Sequence, residues 1–164
     1  MWVAVAQYAH QNSSAREQWL TAVLVANKFR NAGQVCVTAN RVYVQRSVHD
    51  QFAKLVKSKI GLLTVGHGLA DGTTTGSLAT QRGVERCQVL VDDAREHGAR
   101  VVCGGKRVGE GWHYEPTLLV GAGERAMVHL EEMFAPILSM YAFDTEDEVS
   151  SGGDLQHPAR VALG

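Results

Sequence analysis

Between residues 14 and 149 the spacing of apolar residues switches repeatedly between a helical and a strand period, and that alternation leaves few folds open. Ser14-Ala15-Arg16-Glu17 reads as a capping box, followed by Trp19, Leu20, Val23, Leu24 and Phe29 at helical spacing. Gly33 is the expected stop of that helix. Val42 and Val44 alternate with polar neighbours, which predicts a strand over 41–45. Phe52, Leu55, Val56 and Ile60 form the apolar face of a second helix, with Lys54, Lys57 and Lys59 on its solvated side. The Gly-, Thr- and Asp-rich stretch from Gly66 to Gly76 predicts a loop. A third helix is expected from about Thr80 to His97, ending at Gly98. Strands are expected over 100–103, 115–120 and 137–143, and Pro116 forbids a helix interior in the second of these. Thr145-Glu146-Asp147-Glu148 opens a last helix with another capping box. Such a chain folds as α/β with a mostly parallel sheet, and it contains no internal repeat. Its organisation divides into an atypical segment at 1–21 leading into a helix, a patterned body at 22–149 and an irregular tail at 150–164, where Ser150-Ser151-Gly152-Gly153-Asp154 breaks the pattern.

The chain has 164 residues, enough for one domain with a hydrophobic core. A net charge of -1 offers no electrostatic footprint for nucleic acid or a membrane surface. No apolar run approaches the roughly 20 residues that span a bilayer. The N-terminus lacks the basic and apolar regions of a signal peptide. Three widely spaced cysteines, Cys36, Cys87 and Cys103, form no CxxC pair and point to free thiols in a reducing compartment. The seven histidines show no HExxH or HxxxH spacing, so no metal site is expected. Most of them are expected to be exposed or in loops. Cys87 falls on an amphipathic helix and Cys103 at a strand end, so both read as structural.

One segment carries chemistry. Asn31-Ala32-Gly33-Gln34-Val35-Cys36 places a cysteine beyond a helix end, in a Gly-containing turn before a strand. A thiol on such a turn is accessible, and backbone N–H groups can point at what attaches to it, as a covalent nucleophile requires. Lys28 and Arg30 are expected to add positive charge that lowers the thiol pKa. The competing reading is a small buried hydrophobe, the commoner role of a lone cysteine.

The run from Lys28 to Cys36 closely resembles the cysteine signature of the aldehyde dehydrogenase superfamily, and within it the succinate-semialdehyde dehydrogenase branch. The resemblance continues in order through residues 39–45, 71–76, 98–105, 114–119 and 131–136, six collinear matches over about 120 residues. It implies a three-layer, Rossmann-like catalytic domain. It also implies NAD(P)-dependent oxidation of an aldehyde to the acid, the substrate being succinate semialdehyde or a similar carboxylate-bearing aldehyde. Cys36 would be the nucleophile, passing through a thiohemiacetal and a thioester, with its backbone N–H on the oxyanion. Arg30 matches the arginine that helps bind the substrate carboxylate. Glu132 matches the glutamate that contacts the ribose of NAD or NADP, and Phe134 the aromatic that packs near the nicotinamide. The plain alternatives are a surface carboxylate and a core aromatic. The resemblance implies a cytoplasmic or mitochondrial-matrix location and a homo-oligomer for the full-length enzyme.

The chain also departs from the family pattern. Ala135 stands where a glycine is usual, and alanine disfavours positive φ, so this turn is expected to shift. Ser77 stands where a proline is usual. Thr38 occupies a position that carries a second cysteine in some relatives, which rules out a disulfide between neighbours on this loop. No GxGxxG occurs: Gly66-His67-Gly68 is followed by Asp71 where the last glycine should be. The Glu-Leu-Gly-Gly motif of the general base, the oxyanion-hole asparagine and the Pro-Phe-Gly-Gly segment are also missing. The expectation is therefore a piece of a larger enzyme. The alternative is a non-catalytic fragment that binds other protein or self-associates.

Overall fold

A computed structural model describes residues 2–6 and 14–151. The chain begins with strand β1 (Trp2–Ala6) and helix α1 (Ser14–Phe29). A tight 3₁₀ turn (Arg30–Gly33) leads to β2 (Ala39–Gln45) and α2 (Arg46–Ile60). Then come α3 (Gln81–Glu96), β3 (Arg100–Cys103), the two-residue strands β4 (Arg107–Val108) and β5 (His113–Tyr114), and β6 (Thr117–Val120). The short helix α4 (Met127–Leu130), β7 (Ile137–Phe143) and α5 (Glu146–Ser151) follow.

The main sheet has the order β1-β2-β7-β6-β3. Its first three pairings are parallel, and only β3 runs antiparallel, on β6. The predicted α/β class with a mostly parallel sheet is what the chain adopts. A two-residue period sends alternate side chains to opposite faces. Val42, Val44, Leu138, Met140, Leu118 and Val120 meet Leu20, Val25 and Phe29 of α1 and Phe52, Val56 and Ile60 of α2. On the other face Ile137, Leu119 and Tyr141 meet Val84, Cys87, Leu90 and Val91 of α3 and Val128 of α4. Two helical layers thus sandwich the sheet.

Most local expectations hold. Thr80 caps α3, its hydroxyl accepting the Gly83 N–H at 3.1 Å, and Gly98 takes φ +87 just past the helix end. The loop at 66–76 is a loop, pinned by a bridge between Val65 and Thr75. The last helix opens near Thr145, but the Glu148 carboxylate accepts the N–H of Asp144, one residue earlier than expected. The capping box at Ser14–Glu17 rests on side chains outside the described ones, as does the tail beyond residue 151.

Three features depart from the sequence reading. The first helix ends at Phe29, four residues before Gly33, because Asn31 and Ala32 turn left-handed at φ 51 and 52. Strand β1, which no alternation signalled, pairs with β2 and extends the sheet. His49 is buried, not exposed, on the inner face of α2. Among the described residues no helix is long and apolar enough to cross a membrane.

Candidate active site

Neighbouring parallel strands enter a sheet from the same end, so the loops that feed them share that end. β2 and β7 are such neighbours, with Arg41 opposite Ser139. The loop entering β2 carries Cys36, and the segment entering β7 carries Glu132 and Phe134. Sequence separation of about a hundred residues is thereby closed by strand order alone.

The contact is tight. Asn31, Ala32 and Gly33 form three successive left-handed residues, the last at φ +72. A left-handed turn reverses the chain over the sheet end. Phe29 is buried with α1 and α2 on one face, while Ala32 is buried with α3 and α4 on the other. At Gly33 the backbone lies directly against the Ala135 carbonyl, with Pro136 N 3.0 Å from where a Cβ would sit. Ala135 itself does not take positive φ. The left-handed residues facing this turn are those of the cysteine loop.

Gln34 fastens the same loop. Its Oε1 accepts the Ala79 N–H at 2.9 Å and its Nε2 donates to the Asn31 carbonyl at 3.0 Å. The Val35 carbonyl then accepts from the Thr38 N–H at 3.3 Å and the Thr38 hydroxyl at 3.0 Å. The turn so closed leaves Cys36 exposed. The bland alternative, a buried hydrophobe, does not describe this thiol. It does describe Cys87, which is wholly buried and whose thiol burial pushes up to about 12. Cys103 is half-buried.

Lys28 does not play the predicted part. Its ammonium turns inward, with none of the residue exposed, and donates to Asn40 Oδ1 at 2.7 Å. Desolvation lowers its pKa to about 7, against a smaller opposing pull from Cys87. It therefore ties the end of α1 to the start of β2 beneath the loop, rather than presenting a surface charge beside Cys36. Arg30 is exposed on the 3₁₀ turn and forms no ion pair among the described residues.

α3 positions the second segment. Asp93 Oδ2 accepts the Met127 N–H at 2.6 Å at the start of α4, and Arg86 pairs with Glu131. These ties hold the chain just before Glu132, whose carboxylate is exposed, and Phe134, whose residue is 51% exposed beside the buried Met133 and Ala135. An aromatic left this open does not fit the core-aromatic reading. Sequence reasoning missed Gln34 and Asn40, although both lie in the quoted motifs. Their residue types invite hydrogen bonds, but nothing in the spacing names Ala79 or Lys28 as partners. Among the described residues no three His, Cys, Asp or Glu side chains gather as a metal site.

The mostly parallel, doubly covered sheet is the one expected from the sequence, whereas the left-handed turn and its contact with the acidic-aromatic segment emerge only from the structure. The aldehyde dehydrogenase family matches residues 14–151, and the chain belongs to that family. Among curated relatives it is 44% identical over 126 residues to succinate-semialdehyde dehydrogenase [NADP(+)] of Escherichia coli (strain K12). It is 43% identical over 125 residues to glutarate-semialdehyde dehydrogenase of Pseudomonas putida. Each match covers 76% of this chain and 26% of the relative, so the chain spans about a quarter of their length. Among solved structures, an NADP-dependent enzyme of Escherichia coli superposes with a TM-score of 0.78 at 38% identity, covering 90% of this chain and 30% of that one.

Proposed function

We propose that this chain carries the nucleophile side of an NAD(P)-dependent aldehyde dehydrogenase site acting on a small aldehyde that bears a carboxylate. The observation that carries the reading is the backbone contact of Gly33 with Ala135, which sets the exposed Cys36 loop against the segment of Glu132 and Phe134. In this reading the Cys36 thiolate adds to the aldehyde carbon, and its backbone N–H steadies the oxyanion of the thiohemiacetal. Arg30, exposed and free of an internal ion pair among the described residues, holds the distal carboxylate of the substrate. Glu132 would accept hydrogen bonds from a ribose, and Phe134 would offer its open face to the nicotinamide ring. That ring, when bound, supplies the acceptor for the hydride that leaves the carbon. Water then splits the Cys36 thioester, releasing the acid and restoring the thiol. The two semialdehyde dehydrogenases among the relatives support the substrate class, and both semialdehydes carry a carboxylate.

Acyl transfer to Cys36 needs only the thiol and its local donor, so an activated ester tests the nucleophile. Wild-type chain treated with p-nitrophenyl acetate is expected to release a burst of p-nitrophenolate stoichiometric with protein. Cys36→Ala is expected to lose the burst with its circular dichroism unchanged. Equal release from both would remove Cys36 from the mechanism. The substrate class is tested separately by the carboxylate-bearing ester p-nitrophenyl hemisuccinate. Arg30→Ala is expected to lower the acylation rate on hemisuccinate by about tenfold relative to acetate, the weight of one charged hydrogen bond. An unchanged ratio would assign the carboxylate elsewhere.

A further inference from the structure

A lysine is rarely buried, because an ammonium is costly to take out of water. Lys28 is nonetheless 0% exposed, and desolvation is the main cause of its lowered pKa. A methionine or leucine would fill the same space without that cost. What the lysine adds is its bond to Asn40. Lys28 stands in the last turn of α1 and Asn40 at the start of β2. The 2.7 Å bond from Nζ to Oδ1 therefore joins the two ends of the loop that carries Cys36. An amine donates N–H whether or not it carries the extra proton, so the tie does not hang on the charge.

That loop needs holding. Asn31 and Ala32 take left-handed φ of 51 and 52, a geometry that is strained for residues with a Cβ and lasts only where neighbours impose it. At its crest the loop is held by Gly33 against Ala135 and by Gln34 against Ala79. Those contacts leave the two chain ends beneath it to be fixed. An irregularity in the sheet places Asn40 for this. Trp2 pairs with Ala39 and Val3 with Arg41, so the register slips at Asn40 and leaves it without a partner residue on β1. Slips of this kind re-aim a side chain and recur beside active sites. Asn40 is 3% exposed, so Lys28 meets its acceptor out of reach of water.

We propose that Lys28 and Asn40 are positioning residues for Cys36, their hydrogen bond clamping the neck of its loop so that the thiol and its backbone N–H keep one geometry. The role rests on the reading of Cys36 as nucleophile, and neither residue touches the substrate. Without the clamp the thiol stays exposed, but the loop relaxes and the donor for the oxyanion is misplaced.

Alkylation by iodoacetamide needs only an accessible thiolate, whereas acylation by p-nitrophenyl acetate needs the oxyanion donor as well. In the full chain Lys28→Met is expected to slow acylation of Cys36 about tenfold, the weight of one charged hydrogen bond, and to change its alkylation by less than about twofold. The double variant Lys28→Met/Asn40→Leu separates position from stability. Apolar groups in place of both partners restore stability but not the clamp. Its urea unfolding should match or exceed wild type while its acylation stays about tenfold slow. Asn40→Asp keeps an acceptor for Lys28 and is expected to acylate within about twofold of wild type. Acylation that recovers in the double variant, or that falls equally in Asn40→Asp, leaves the pair a structural role alone and overturns the proposal. Amide hydrogen exchange tests the clamp apart from the chemistry. The N–H of Thr38, bonded to Val35, and that of Ala79, bonded to Gln34, are expected to exchange faster in Lys28→Met, with the amides between β2 and β7 unchanged. If Cys36→Ala still gives the ester burst, the nucleophile reading falls. The exchange rates then decide the clamp by themselves: unchanged rates at Thr38 and Ala79 overturn it, and faster ones sustain it.

Discussion

Gly33→Ala is expected to destabilise the chain by about 2–5 kcal/mol. Two independent costs add. At φ +72 an L side chain meets its own backbone, which costs roughly 1–2 kcal/mol. The new Cβ would also overlap the Ala135 carbonyl, a backbone group that cannot rotate away as a flexible side chain could. Overpacking of this kind adds about 1–3 kcal/mol. Relief requires the Cys36 loop to part from the segment of Glu132 and Phe134. The variant should therefore lose the ester burst even under conditions where circular dichroism still reports a folded chain. Gly72→Ala is the control: φ is +78, but nothing lies within 4 Å of its added Cβ. Urea unfolding of the two variants separates the terms. Equal losses would mean that the contact with Ala135 contributes nothing and that only backbone strain matters.

Stability is expected to climb by about 2 kcal/mol between pH 7 and 9, and Lys28 is the reason. Its pKa falls from 10.5 in the unfolded chain to about 7 in the folded one, chiefly through desolvation. Between those values the unfolded chain binds more protons, so the unfolding free energy rises with pH. The contribution is complete above 10.5 and is lost as pH falls through 7. Groups with raised values act in the opposite sense at higher pH. Cys87, shifted from 9.0 to about 12, favours the folded state fully below 9 and loses that effect as pH rises through 12. The window from 7 to 9 therefore reports Lys28. Denaturant titrations of wild type and Lys28→Met across that window should show a slope in the first and a flatter line in the second. Parallel slopes would mean that Lys28 stays charged against Asn40. The variant also leaves Asn40 without its 2.7 Å donor, so its overall stability reflects that loss as well as the relief of burial.

Lys28 illustrates where sequence reasoning stopped. Its place in the motif was plain, and so was its charge. Whether that charge faces Cys36 or Asn40 depends on the direction of the last turn of α1 and on where β2 begins. The same holds for the helix end. Gly33 reads as a stop, but the helix gives way at Phe29, because Asn31 and Ala32 accept left-handed geometry to carry the chain across the sheet end. Propensity alone argues against an alanine there. Tertiary contact with Ala135 and the burial of Ala32 override it. Strand β1 was illegible for another reason: a strand at the sheet edge needs only one partner, and five residues carry too little period to announce it.

The order of the motifs, the alternation of periods and the candidacy of Cys36 came from the sequence by itself, because they rest on local spacing and residue type. So did the presence of Arg30, Glu132 and Phe134 in their motifs. Which loops meet was decided only by the tertiary structure. β2 and β7 are adjacent although residues 46–136 separate them, and their entry loops meet at the amino ends of the strands, not at the carboxyl ends where open α/β sheets usually bind ligands. Strand order is a property of long-range pairing that no window of residues encodes. Only that pairing puts Gly33 against Ala135, hides Lys28 and gathers Arg41 with Ser139 and Tyr141 on one face.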